Sequence, residues 1–236
     1  MNESRAKESQ AKRHTQKSRD AGTPGPLEPE AAREAVVATC LQLADLGFLA
    51  GIGGNLAIRT TGGCFAVTPS AADYYALEPA DICILKLDSL EKIAGEMEPS
   101  VESGMHAALL QYRPDLQASV HTHQPIASAV ALLNRRLEVR HPAARAALGA
   151  SIELTSYAPS GTGFLVNAFR KVLLADVNGY ILRNHGIVCG APDLKQAVRN
   201  VQHIENEAAR YLRCAISDAK ASKLPAYVQK QVLASL

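Results

Sequence analysis

The stretch "ASVHTHQPIAS", residues 118–128, sets two histidines one residue apart at the end of an apolar run and just before a proline. Residues i and i+2 of a strand project to the same face, so His121 and His123 point together with Thr122 opposite. Imidazole nitrogens bind zinc, and also manganese or iron, and a catalytic centre needs a third protein ligand with one position left open. Two residues elsewhere have the right chemistry: His185 in "RNHGIVCG", read as lying on a strand beside a glycine that permits close approach, and Glu102 in "PSVESGMH". Each part also has an ordinary structural explanation. An HxH pair can be a surface or hydrogen-bonded pair, His185 a satisfied polar residue, and Glu102 an exposed carboxylate favoured by the dipole of its helix. His14, His106, His141 and His203 read as structural, although His106 lies one helical turn after Glu102 and could orient it.

The elements that must position these residues follow from hydrophobic spacing. "PEAAREAVVATCLQLADLGF" has helical periodicity and stops at Gly47, whereas "NLAIRT", "GCFAVTPS" and "DICILKL" are short strands bounded by turn residues and form an antiparallel meander. "PSVESGMHAALLQYRPD" is a helix beginning near Ser100 and ended by Pro114, and it delivers the strand "QASVHTH". A helix over "PIASAVALLN", a strand over "GASIELTSY" and a helix over "GTGFLVNAFRKVLLA" with Thr162 as N-cap follow. "GYILRNHGIVCG" then reads as one strand between Gly179 and Gly190, and a closing helix starts behind Asp193. Strands gathered early and mixed with helices later imply one α/β layer domain with a mostly antiparallel sheet.

Composition narrows the function classes. The chain has 236 residues, 47% apolar and 20% charged, with a formal net charge of +2, so no global field points to nucleic acid. No apolar run is long enough to span a bilayer. Five widely spaced cysteines without a CxxC fit reduced thiols in the cytoplasm rather than a disulfide framework. Residues 1–28 read as a flexible polar tail and residues 29–236 as the folded domain.

Four segments in order, "GIGGNLAIR", "VTPSAADYYALEPADICIL", "EPSVESGMHAALLQYRPDLQASVHTHQPIASAVAL" and "ILRNHGIVCGAPDLKQAVRNVQHIENEAARYL", resemble the class II aldolase/adducin family over about residues 30–215. The resemblance implies a three-layer α/β/α fold around a mixed, mostly antiparallel sheet, and a homotetramer with active sites at subunit junctions. It places the metal ligands on His121, His123 and His185. Glu102 falls on the catalytic carboxylate, a general base and acid that can also ligate the ion. The implied activity is that of a divalent-metal-dependent lyase, with Zn²⁺ first and Mn²⁺ or another ion as the alternative. It would cleave a ketose phosphate or related hydroxy-ketone through an enediolate that the ion stabilises. Decarboxylation of a keto or aromatic acid, dehydration and epimerisation are the alternatives within the family. A non-catalytic adducin-like interaction domain ranks last, because it has no use for the histidines.

Departures bear on the substrate. The family's phosphate cradle of Gly-Asn, Thr/Ser-Gly and Ser-Ser pairs reads here Gly54-Asn55, Ser70-Ala71 and Ser100-Val101. Gly54, Asn55, Ser70 and Ser100 thus retain donors for an anion, Val101 removes a hydroxyl, and a carboxylate competes with phosphate. A family tyrosine expected after the histidine strand finds no match in "EVRHPAARAALG", and a second matches only loosely at Tyr227.

Overall fold

The computed structural model describes residues 25–49, 51, 53–217 and 225–236. Most of the expected tail, residues 1–24, lies outside the described residues. Leu27 already belongs to the fold, since it bridges Thr60 and accepts the N–H of Thr61 at 2.9 Å.

Helix α1, Pro29–Asp45, buries Ala32, Val36, Thr39, Cys40 and Leu43, one stripe at helical spacing, and gives way to Gly47 at φ 74°. Strands β1 (Asn55–Thr60), β2 (Cys64–Val67), β3 (Cys83–Lys86) and β4 (Lys92–Ala94) make the antiparallel meander. Helix α2 (Ser103–Tyr112) leads into β5 (Ala118–Thr122), which pairs antiparallel with β1. Then come α3 (Pro125–Ala131), β6 (Leu137–Glu138), α4 (Pro142–Leu148), β7 (Ser151–Leu154) and α5 (Gly163–Arg170). The last elements are β8 (Gly179–Leu182), β9 (Gly186–Ala191), α6 (Leu194–Ser217) and α7 (Ala226–Ser235).

Among the described residues the strands form one nine-stranded sheet in the order β4-β3-β2-β1-β5-β9-β8-β7-β6, antiparallel except for the β7–β8 pair. Two apolar cores lie on its two sides. One joins α1, α3, α4 and α6 to residues such as Leu56, Val120 and Cys189, and the other joins α2 and α5 to Phe65, Tyr180 and Val188. This is the three-layer α/β/α arrangement around a mixed, mostly antiparallel sheet. Among the described residues no helix is long and apolar enough to cross a membrane.

Three sequence expectations need correction. "GYILRNHGIVCG" is two strands, with Arg183–His185 as the turn between β8 and β9, so His185 is a turn residue. Asn184 takes φ 57°, a left-handed conformation that asparagine tolerates, and this closes the hairpin. Helix α2 starts at Ser103, not Ser100, because Ser100 lies in the preceding turn and its carbonyl accepts the Ser103 N–H at 3.0 Å. Helix α6 is followed by α7, so it does not close the chain.

Helix α6 also fastens two other helices. The Glu205 carboxylate accepts the N–H groups of Ile126 (2.9 Å) and Ala127 (2.8 Å) at the start of α3. Glu207, 2% exposed, accepts those of His141 (2.9 Å) and Arg140 (3.2 Å) at the start of α4 and pairs with Arg210 at 2.6 Å. Burial pushes the Glu207 carboxyl up, but Arg210 and the two N–H groups outweigh it and hold the group below the usual carboxylate range. A depressed folded value means that the stabilisation is present above the unfolded value of about 4.3 and is lost as pH falls through the lower folded one. Glu207→Ala strands two backbone donors and costs about 2 kcal/mol, on the order of 5 °C in melting temperature at pH 7. Thermal melts across pH should show wild type and variant converging below about pH 4. Parallel curves would show that the cap is not what Glu207 contributes.

Candidate active site

The site lies where the polar residues of the central strands meet the N-terminus of α2. In the β1–β5 ladder Asn55 stands opposite His121, so the two share a face, with Ser119 two residues before His121 on that face. Leu56 and Val120, on the other face, belong to the α1/α6 core. Glu102 precedes the first turn of α2, and His106 follows one turn later. The polar strip of the site thus lies on the α2 side of the sheet, among the apolar residues of the second core.

Two glycines permit the geometry. Gly54 has φ 88°, which L side chains rarely adopt, and a Cβ there would stand 2.8 Å from the His121 carbonyl oxygen. Gly186 lets the β8–β9 turn approach β5: a Cβ would come to 2.5 Å from the Thr122 carbonyl oxygen and 2.6 Å from His123 Cδ2. The approach delivers His185 to the HxH pair. The ring centroids of His121, His123 and His185 form a near-equilateral triangle with sides of 4.6, 4.8 and 4.9 Å. One nitrogen from each ring lies within 4.8 Å of the others, a set that could hold a metal ion.

The donor set fits a divalent cation. His121 Nδ1 donates to the Ile187 carbonyl at 2.7 Å, which leaves the Nε2 lone pair facing His123 Nε2 at 2.9 Å and Glu102 Oε2 at 3.2 Å. His185 Nε2 lies 3.6 Å from Glu102 Oε1, and its buried Nδ1 has no hydrogen-bond partner among the described residues. Burial pushes His121 down to about 3 against the pull of Glu102, and burial with His185 lowers His123 as well. Burial also works to raise Glu102, but His121, the Asn55 amide, His185 and Ser160 together hold it at about 2. At neutral pH the centre is thus one carboxylate among uncharged His121 and His123 rings, the protonation that a cation requires.

Glu102 is 5% exposed, not the exposed carboxylate of its ordinary explanation, and each of its oxygens has a donor. Asn55 Nδ2 donates to Oε2 at 2.9 Å and Ser160 Oγ to Oε1 at 2.8 Å. Sequence reasoning did not single out Ser160. Its available signal was a serine in the strand-to-helix loop "SYAPSGTG", the kind of segment that presents functional groups.

The expected anion donors converge only in part. Segments 68–70 and 98–100 run side by side, with Ser100 N–H donating to Thr68 O at 3.1 Å and Ser70 N–H to Glu98 O at 2.9 Å. Those two N–H groups are consumed, so Ser70 and Ser100 have their hydroxyls to offer an anion and Asn55 its second amide proton, while Gly54, the fourth expected donor, directly precedes Asn55 at φ 88°. Ala71 keeps φ 54°, the left-handed conformation suited to the family's glycine. Val101 is 66% exposed beside Gly161. Tyr227 sits 70% exposed on α7.

A family model described as "Class II Aldolase and Adducin N-terminal domain" matches residues 34–212. The chain is 36% identical over 177 residues to the 5-deoxy-D-ribulose 1-phosphate aldolase of Bacillus thuringiensis serovar kurstaki, spanning 73% of this chain and 80% of that one. It is 32% identical over 206 residues to the 5-methylthioribulose-1-phosphate/5-deoxyribulose-1-phosphate aldolase of Rhodospirillum rubrum, spanning 86% and 90%. Among solved structures, an L-fuculose 1-phosphate aldolase matches with a TM-score of 0.73 at 26% identity, over 87% of this chain and 95% of that one. The chain belongs to the class II aldolase/adducin family, and as an enzyme it is a metal-dependent aldolase-type carbon–carbon lyase.

Gly186→Ala should separate the third histidine from the other two without unfolding the sheet. Chelator-competition titration should show metal affinity lowered by about 10- to 100-fold, with far-UV circular dichroism unchanged. Wild-type affinity in this variant would show that close approach of the turn is not required.

Proposed function

We propose that the protein cleaves a ketose 1-phosphate into a phosphorylated ketone fragment and an aldehyde, using an ion held by His121, His123 and His185. The single observation that carries this reading is Glu102, a buried carboxylate fixed by Asn55 and Ser160 within 3.2 Å of His121 Nε2 and 3.6 Å of His185 Nε2. When bound, a divalent ion supplies a Lewis acid that draws electrons toward the ketone oxygen of the substrate.

The chain's own residues do the rest. Breaking the carbon–carbon bond leaves an electron pair beside the ketone and turns the adjacent hydroxyl-bearing carbon into an aldehyde. The hydroxyl gives up its proton as the aldehyde forms, and a proton must reach the carbon that keeps the pair: Glu102, a carboxylate at rest, takes up the first and delivers it to that carbon, and runs in the opposite sense in the reverse direction. The Ser70 and Ser100 hydroxyls and the Asn55 amide hold the phosphate. Tyr157 supplies a phenol that hydrogen-bonds the hydroxyl oxygen as it becomes the aldehyde's: it lies three residues before Ser160 in the same loop and is 60% exposed. It replaces Tyr227 as our assignment, because the loop of Tyr157 touches Glu102.

Both relatives named above are aldolases of 5-deoxyribulose 1-phosphate, one of them also of 5-methylthioribulose 1-phosphate, which favours a short ketose 1-phosphate of this kind as substrate here. Zinc is the assigned ion, consistent with three imidazoles and an open position. A homotetramer is the assigned assembly, supported by the exposed apolar side chains of Val101, Tyr157 and Phe164 around the Glu102 loop. Residues 29–236 form the catalytic domain, and the free cysteines favour the cytoplasm.

The test is a panel containing 5-deoxyribulose 1-phosphate, L-fuculose 1-phosphate and keto acids, scored for both aldehyde and CO₂. Aldehyde release that a chelator abolishes and zinc restores is expected. Glu102→Gln should keep its metal and lose about 10²- to 10⁴-fold in kcat. Release of CO₂ without aldehyde would replace the reading by a decarboxylase, and full turnover in Glu102→Gln would remove Glu102 from the chemistry.

A further inference from the structure

The polar strip continues past Glu102 into the core between α2 and the sheet. His106 is fully buried there, on a helix whose neighbouring Met105 and Leu109 are also fully buried. Its ring joins two strands: Nε2 lies 2.6 Å from Asn55 Oδ1 on β1, and Nδ1 lies 2.7 Å from Ser119 Oγ on β5.

The proton positions follow from chemistry. A carboxylate only accepts, so Asn55 must turn its NH₂ toward Glu102 and its carbonyl oxygen toward His106. An amide oxygen also only accepts, so His106 carries its proton on Nε2, and its bare Nδ1 accepts the Ser119 hydroxyl. Burial pushes His106 down to about 4, so the ring is neutral and has one proton to give. Every donor then points the same way, from Ser119 to His106 to Asn55 to Glu102. A buried imidazole has to be satisfied at both nitrogens, and an apolar side chain would fill the same space without that demand. The chain of donors ends on the carboxylate.

We infer that His106 is a positioning residue which, acting through Asn55, holds the Glu102 carboxylate in the orientation used for proton transfer. The sequence suggested direct orientation by a neighbour on the same helix; the geometry places Asn55 between them. The inference rests on the proposed role of Glu102, and it assigns to His106 no contact with substrate or metal. In His106→Leu, Asn55 Oδ1 loses its donor in a closed space, the amide can rotate, and Glu102 keeps only Ser160. In His106→Gln, the side-chain amide can still donate to Asn55.

The experiment compares wild type, His106→Leu, His106→Gln, Asn55→Ala and His106→Leu/Asn55→Ala as zinc-loaded full chains, with 5-deoxyribulose 1-phosphate and L-fuculose 1-phosphate as probes. Bound metal per chain should be unchanged in the His106 variants. In His106→Leu kcat should fall about tenfold or more, the scale of one positioned hydrogen bond, with any rise in KM, from the Asn55 amide that also faces the phosphate, smaller than the fall in kcat. His106→Gln should recover most of the loss, and His106→Leu should add nothing in the Asn55→Ala background. Equal losses in both backgrounds, equal impairment by leucine and glutamine, or a loss confined to KM would overturn the inference.

Nitrogen-15 NMR of the resting protein reads the same hydrogen bonds without turnover. His106 should be the Nε2–H tautomer, and the Asn55 side-chain amide signals should be sharp in wild type and His106→Gln but broadened in His106→Leu. The Nδ1–H tautomer, or Asn55 signals indifferent to His106→Leu, would overturn it. Should wild type cleave neither sugar, the proposed activity fails, while these signals still decide the positioning chain.

Discussion

A carboxylate removed from water must be given donors in place of its hydration, and the arrangement around Glu102 follows from that requirement. Asn55 and Ser160 supply them, and each reaches Glu102 because of the element that carries it. Asn55 comes from the first residue of β1, directly across from His121. Ser160 comes from the loop before α5, a helix that packs with α2 in the second core. The charge therefore couples both helices on one side of the sheet to the central strands, and with Asn55, His106 and Ser119 it forms a polar strip in a largely apolar interface.

Much of this was legible in the sequence, for definable reasons. Helical stripes such as Ala32–Val36–Cys40–Leu43 and the alternation in β5 carry a period, and a period survives without coordinates. The HxH spacing foretold that His121 and His123 would share a face. The Gly after His185 announced a close approach, which proved to be that of a turn against β5. The turn itself was missed because apolar runs flank a tripeptide, Arg183-Asn184-His185, with only Asn184 as turn signal. Ser160 and the orientation of Asn55 were not legible, since they depend on contacts between residues 58 and 47 positions apart, for which sequence carries no period. The segment "EVRHPAARAALG" hid α4, a seven-residue helix whose start is completed by Glu207 from a distant element.

The use of α6 as a source of caps is the same economy on the opposite side of the sheet. Helices α3 and α4 are seven residues each, too short to be stable alone, and both begin at a proline. Glu205 and Glu207 complete their N-termini from one neighbouring helix, so the layer behind the sheet is ordered by the longest helix in the described chain. Of the two, α3 directly follows the histidine strand and inherits its placement from that cap.

The tight turn between β8 and β9 has a consequence for the folding equilibrium. Sixty-two positions separate His123 from His185, and only a completed sheet brings the turn to β5. An unfolded chain offers a cation an isolated HxH pair, whereas the native chain offers three nitrogens and a carboxylate at once. A cation held there discriminates between the two states, so its binding free energy is added to the stability of the native state by mass action. The reaction centre is in that sense also a clasp that closes late, across the longest gap between successive ligands.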